Sequence, residues 1–238
     1  MSAPKRFFVN DIGEETELTG EEFRHAKSVL RLAEGAEITL LDGSGTEYSA
    51  MIARVEKARM IAHVVGKRLS DKEPKADTYL LIGALKGDKT ELVVQKATEL
   101  GATKIGVFCS RYCSAYINEN KLERLQKVAR EAAKQCLRAS VPQVLYFETF
   151  KEALSSAQGY ANKLFACEFL TQSERPIDRL SGSTALIVGS EGGFTEEEFA
   201  AGTKVGFAGI SLGKRILRAE TAAIALLSVV QYAAGELQ

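Results

Sequence analysis

From Tyr79 onward, short apolar runs alternate with stretches of helical periodicity, and this alternation constrains the fold more than any other feature of the chain. Strand-like runs span 79–85, 105–109, 144–147, 164–167, 185–188 and 209–212, with helical patterns opening at Asp88, Asn120, Thr149, Thr195 and Glu220. A strand, a helix and a further strand in series demand a crossover, so the repeat predicts βαβ units and a largely parallel sheet, an α/β fold. Asp88 with Glu91, Thr149 with Glu152 and Thr195 with Glu198 have capping-box spacing, and Gly101 and Gly235 stand where helices should stop.

The preceding segment reads as mostly β. Phe7-Phe8-Val9, 37–41, 48–55 and 60–65 are strand-like, with Asp42-Gly43-Ser44-Gly45 as a hairpin turn. A capping box at Thr19 and Glu22 opens a short helix carrying Phe23, Ala26 and Leu30. Strands in series joined by short turns predict a small barrel. The apolar pattern lapses into charges and a proline around Ser70–Lys75, which divides the chain into domains at 1–72 and 73–238.

Neither part has an uninterrupted apolar run of membrane-spanning length, and the start, Met1-Ser2-Ala3-Pro4-Lys5-Arg6, lacks the apolar core of a secretion signal, so a soluble cytoplasmic protein without membrane partners is expected. Cys109, Cys113, Cys136 and Cys167 show no C-x-x-C pairing, which predicts buried free thiols in a reducing compartment and no metal site. Equal numbers of basic and acidic residues, 31 of each, argue against a generic nucleic-acid binder. The distribution is uneven: 11 basic against 13 acidic residues before position 75, 12 against 7 from 75 to 140, and 8 against 11 thereafter.

Two turns at strand ends stand out in the last quarter. Val188-Gly189-Ser190-Glu191-Gly192-Gly193-Phe194-Thr195 packs three glycines into five residues, and Leu212-Gly213-Lys214-Arg215-Ile216-Leu217-Arg218-Ala219-Glu220-Thr221-Ala222 follows the next strand. The carboxyl edge of an open α/β sheet is where ligands bind, because unpaired N–H groups lie there and glycine lets the backbone approach closely. The first turn has neither the Lys-Ser/Thr ending of a P-loop nor the full dinucleotide fingerprint, and Glu191 would repel a polyphosphate. A carboxylate among free amides suits ribose hydroxyls, an amino group or a sulfonium, and S-adenosylmethionine offers all three. The plainer reading is a tight turn with Glu191 solvated.

These two turns together resemble the RsmE family, ribosomal RNA methyltransferases that act on N3 of a uridine in small-subunit RNA. Lys86-Gly87-Asp88-Lys89 with Glu91, Gln95, Lys96, Glu99, Leu100 and Gly101 is similar to a further family run. So are Glu131-Ala132-Ala133-Lys134-Gln135 with Arg138 and Val141-Pro142, and Arg24-His25-Ala26-Lys27-Ser28-Val29-Leu30-Arg31-Leu32. The resemblance covers nearly the whole chain. It departs at Ser190, where the family commonly has proline, and at Ala219, where it commonly has threonine. It implies a carboxyl-terminal SPOUT-type domain, a trefoil-knotted and mostly parallel sheet with helices, after a small PUA-like β-barrel that helps grip RNA. It also implies a homodimer acting on ribosomal RNA or the small ribosomal subunit.

On this reading Gly189, Ser190, Glu191, Gly192, Gly193, Leu212, Gly213, Ile216 and Leu217 hold S-adenosylmethionine. RNA contacts are expected from Arg24, Lys27 and Arg31, spaced to share one helix face, and from Lys86, Lys89, Arg111 and Arg215. A helix from Asn120 to Arg138 adds a basic ridge of Arg124, Lys127, Arg130, Lys134 and Arg138, equally readable as a solvated face. Both histidines, His25 and His63, precede the expected catalytic domain. Alkylating N3 of uracil requires its proton to be removed or its anion stabilised. Arg218, Arg215 and Lys86 are candidates for stabilising, Glu191 and Glu220 for proton removal, and Arg218, Glu191 and Lys86 are the catalytic set expected here. Glu220 also suits a helix amino terminus. The last helix, 221–234, is apolar over most of its circumference, as a core or subunit-interface helix would be. A related methyltransferase with another RNA target, a non-catalytic RNA-binding protein of the same fold and a nucleotide-dependent oxidoreductase are the alternatives.

Overall fold

The computed structural model describes residues 5–170 and 172–237. It comprises two compact units, the first formed by residues up to Glu73 together with Ala133–Val141, the second by Pro74–Ala132 and the chain from Pro142 onward.

The first unit holds β1 (Lys5–Phe8), β2 (Glu15–Leu18), α1 (Gly20–Arg24), β3 (Glu37–Leu41), β4 (Thr46–Val55) and β5 (Met60–Leu69). Its sheet runs β1-β3-β4-β5-β2, with β1 parallel to β3 and the other pairs antiparallel. One core collects side chains from all five strands and the helix, including Phe7, Leu18, Phe23, Ile38, Ile52 and Met60, so the sheet curls around its own apolar face. Its end strands, β1 and β2, are not paired with each other, and β2 carries too short an alternation to stand out in the sequence.

The predicted capping box at Thr19 is not formed. Thr19 makes no side-chain cap bond, and the Glu22 carboxylate that would complete the box accepts instead from Lys134 Nζ at 2.6 Å. After Arg24 the helix widens into a π-helical turn, His25–Val29, and Arg31 follows at φ 52°. Arg24, Lys27 and Arg31 therefore do not share one helix face, since the extra residue per turn breaks the three-and-four spacing.

The second unit holds β6 (Thr78–Gly83), α2 (Lys89–Glu99), β7 (Lys104–Phe108), α3 (Glu119–Gln135), β8 (Gln143–Phe147), α4 (Phe150–Ser156), β9 (Asn162–Ala166), β10 (Thr184–Val188), α5 (Glu196–Lys204), β11 (Ala208–Ile210) and α6 (Ala219–Ala233). Every strand pair is parallel, in the order β11-β9-β10-β6-β7-β8. The chain builds outward from β6 to β8, crosses back to β9, and then inserts β10 between β9 and β6. Such reversals open crevices at the carboxyl ends of the strands.

Capping boxes form at Thr149 and Thr195 but not at Asp88, whose would-be partner Glu91 pairs with Arg124 at 2.9 Å. The basic ridge of α3 is likewise taken up. Arg124 is engaged by Glu91 and Lys134 by Glu22, while Arg138 lies beyond the helix, 3% exposed, beside Glu73. Of the cysteines only Cys167 is buried; the other three are half-buried thiols.

Candidate functional site

The carboxyl ends of β9, β10 and β11 enclose a cavity of about 820 Å³. The turn after β10 is anchored from below by Phe194, 5% exposed, whose ring meets Phe165 edge-on at 4.5 Å and packs at 5.4 Å from Phe150. Beyond it Thr195 caps α5: Thr195 Oγ1 accepts from Glu198 N at 3.1 Å, and Glu198 Oε2 accepts from Thr195 N at 3.0 Å. The turn is thus pinned at its apolar foot and at the helix start, leaving Gly189–Gly193 as wall. Gly193 has φ 68°, a left-handed conformation that side chains disfavour, and a Cβ there would run into the Glu168 carboxylate, which would have to swing aside. Gly192 leaves no room either, because a Cβ would meet Tyr112 Cβ at 2.5 Å and the Tyr112 carbonyl oxygen at 2.8 Å.

All nine residues expected to hold the cofactor line this one cavity, with Lys89, Arg215 and Arg218. Two glycine turns that are about twenty residues apart in sequence converge because β10 and β11 both flank β9. A third wall, Ala166–Leu170 after β9, was not singled out from the sequence; its signal was its place at the carboxyl end of a strand-like run. Lys86 and Arg111 do not line the cavity. Both are exposed, and it is their main-chain N–H groups that bond, Lys86 to Glu191 at 3.1 Å and Arg111 to Glu198 at 2.8 Å. Arg24, Lys27 and Arg31 belong to the first unit, where Lys27 Nζ donates to the Glu56 carbonyl at 3.2 Å.

Glu191 Oε1 accepts from Lys86 N–H and from Lys89 Nζ, the latter at 3.3 Å. Partial burial alone would raise its pKa, but the hydrogen bonds from its own and the Lys86 main chain, with Lys89 adding a bond and a charge, outweigh that and hold it below the usual carboxylate range. A carboxylate so stabilised is a poor proton acceptor at neutral pH. Glu220 sits in the first turn of α6, 3.9 Å from Lys89, and is not part of the cavity wall. Ser190 is 5% exposed and its Oγ has no partner among the described residues. Among those residues no group of three or more His, Cys, Asp or Glu is arranged to hold a metal ion, and no helix is long and apolar enough to cross a membrane.

The RNA methyltransferase domain family matches residues 71–231, and the RNA methyltransferase PUA domain family matches 18–65. Ribosomal RNA small subunit methyltransferase E of Bacillus subtilis is 33% identical over 90% of this chain and 89% of its own length. The chain belongs to the ribosomal RNA small subunit methyltransferase E family. The member from Mesomycoplasma hyopneumoniae is 35% identical over 70% of this chain and 74% of its own length. A crystal structure of the Neisseria gonorrhoeae member bound to S-adenosyl methionine superposes with TM-score 0.87 at 30% identity, covering 98% of both chains. Membership makes this protein a cofactor-dependent RNA methyltransferase of the SPOUT type with a PUA-like amino-terminal unit.

Proposed function

We propose that this protein moves a methyl group from S-adenosylmethionine to N3 of a uridine in small-subunit ribosomal RNA. The observation that carries the reading is the convergence of the β10 and β11 turns on one cavity, with Arg215 and Arg218 in its wall, in a chain of this family.

The residues present fit the cofactor. Ser190 Oγ is a buried hydroxyl in need of a partner, Gly193 holds a left-handed turn against Glu168 in the cavity wall, and Glu191 offers an ionised carboxylate. Gly189–Gly193, Leu212, Gly213, Ile216 and Leu217 are the residues that would hold it. When bound, the cofactor supplies an electrophilic methyl group. The protein's share is orientation and charge: Arg218, exposed at the amino-terminal cap of α6, and Arg215 stabilise the uridine anion left when its N3 proton passes to solvent water. Glu191 acts as a cofactor ligand rather than a base, because its acidity leaves it little appetite for a proton. Lys86, Lys89, Arg111 and the basic residues of the first unit contribute phosphate contacts, which position RNA without reading its sequence.

The reading includes domains at 1–72 and 73–238 and the knot that the family's fold implies. It also includes a homodimer through the outer face of α6, where Val229 and Tyr232 are 43% and 61% exposed. A ribosomal substrate places the protein in the cytoplasm.

Incubation with labelled cofactor and undermethylated small subunits, or their free RNA, tests it. Label in N3-methyluridine is expected. Label in another nucleoside redirects the target, and cofactor binding without transfer leaves a non-catalytic module. Arg218→Ala should lower turnover about 100-fold while sparing cofactor affinity; unchanged turnover removes Arg218 from the mechanism.

A further inference from the structure

The loop after β7 places two tyrosine rings in solvent beside the cavity. Tyr112 is 54% exposed and Tyr116 70%. The loop beneath them is braced. Ile117 is 2% exposed, Cys113 N donates to the Ser110 carbonyl at 3.1 Å, and Cys113 Sγ lies 3.1 Å from the Ala84 carbonyl at the end of β6. Tyr116 meets Tyr146 edge-on at 6.3 Å, and Arg111 N–H is held by Glu198. The backbone of Tyr112 abuts Gly192, so the loop and the Gly-rich turn touch directly. Arg111, next to Tyr112 in the chain, and Lys86, whose N–H meets Glu191 in the Gly-rich turn, are exposed and without an ion-pair partner among the described residues.

We infer that Tyr112 and Tyr116 form a stacking platform for the bases of single-stranded RNA next to the target nucleotide. This rests on the reading of RNA as substrate given above. Aromatic faces on a braced loop, bordered by cations, match what single strands offer: a π-face on every base and a phosphate on every nucleotide. A nucleotide drawn out of its stack leaves its neighbours with bare faces, and the two rings cover them. A second copy of this chain fits less well. A two-fold contact centred on Tyr112 would bring its neighbour Arg111 in each copy close to the axis and so to each other, and like charges oppose that contact.

The chain contains no tryptophan, so Tyr116→Trp supplies a single reporter at the platform. Titration with a short single-stranded uridine-containing RNA should quench its emission, and the same RNA with abasic positions flanking the uridine should not. Tyr116→Ala should weaken binding of the intact RNA about tenfold, leave the abasic RNA unaffected, and preserve affinity for S-adenosylmethionine, while Tyr116→Phe restores wild-type binding. Equal losses for intact and abasic RNA overturn the platform, as does unresponsive emission when anisotropy of labelled RNA reports binding. Emission that changes with protein concentration in the absence of RNA also overturns it, assigning the rings to a subunit interface. In those three cases RNA methyltransferase activity survives. Wild-type protein that binds cofactor but neither binds nor methylates RNA overturns the substrate reading, and the platform with it.

Discussion

The two units differ in where their unmatched buried polar groups lie. In the first, carboxylates are matched internally: Glu47, 5% exposed, accepts from Arg6 at 2.9 Å, from Arg68 at 2.8 Å and from Ser70 at 3.2 Å. Glu73 accepts from the main-chain N–H groups of Ala139 and Ser140, and Glu22 from Lys134. Unpaired atoms remain there, such as Arg6 Nε, but they belong to groups already bonded elsewhere. In the second unit, Ser190 and Ser110 have their only side-chain polar atom buried without a partner among the described residues, and Glu220 leaves one oxygen unmet. An unmade hydrogen bond costs about 1–3 kcal/mol, and of these groups Ser190 lines the cavity, where a ligand can complete it. The first unit spends its polar groups on its own fold; the second holds some in reserve at the carboxyl edge of its sheet.

The sharpest way to break this contrast is to remove the centre of the closed network. Glu47→Ala leaves Arg6, with only 11% of its side chain exposed, without its carboxylate, and should destabilise the protein by about 3–5 kcal/mol in denaturant melts. Affinity for S-adenosylmethionine in the remaining folded protein should not change. The converse variant is Gly192→Val, whose branched side chain has nowhere to go but the backbone of Tyr112. Calorimetry should show cofactor affinity down at least about 100-fold, roughly 3 kcal/mol, with the first unit's melting intact. A smaller effect separates helix caps that were made from one that was not. Thr149→Ala should cost about 1 kcal/mol, whereas Thr19→Ala, which removes no cap bond, should stay within about 0.5 kcal/mol.

The smallest expected effect is one of pH. Glu191 is held below its ordinary value of 4.5, so its charge, and whatever cofactor affinity depends on it, is fully present above that value and is lost only as pH falls through its lowered pKa. Affinity for S-adenosylmethionine should therefore be level from about pH 8 to about pH 5. A midpoint near neutrality would mean that Glu191 is not the carboxylate the cofactor meets.

Much of this was legible in the residues themselves. The βα alternation and the two glycine turns are local patterns, so hydrophobic period and turn chemistry reveal them without any knowledge of neighbours. Capping boxes were legible only where nothing competed: Thr149 and Thr195 keep their glutamates, while Glu22 and Glu91 are taken by Lys134 and Arg124 from distant parts of the chain. In the same way a helical projection places the basic residues of α3 on a face but cannot see that Glu91, Glu22 and Glu73 meet three of them.

By itself the sequence determined most of the strands and helices, β2 and the π-helical turn His25–Val29 excepted, and that ligand-ready turns end β10 and β11. Only the tertiary structure decided that β10 enters between β9 and β6, so that three strand ends close a single cavity, that Ala166–Leu170 forms its third wall, and that Tyr112 sits against Gly192. Propensity and period act within a few residues, whereas strand order and charge pairing join positions far apart in the chain, where no local pattern records which partner wins.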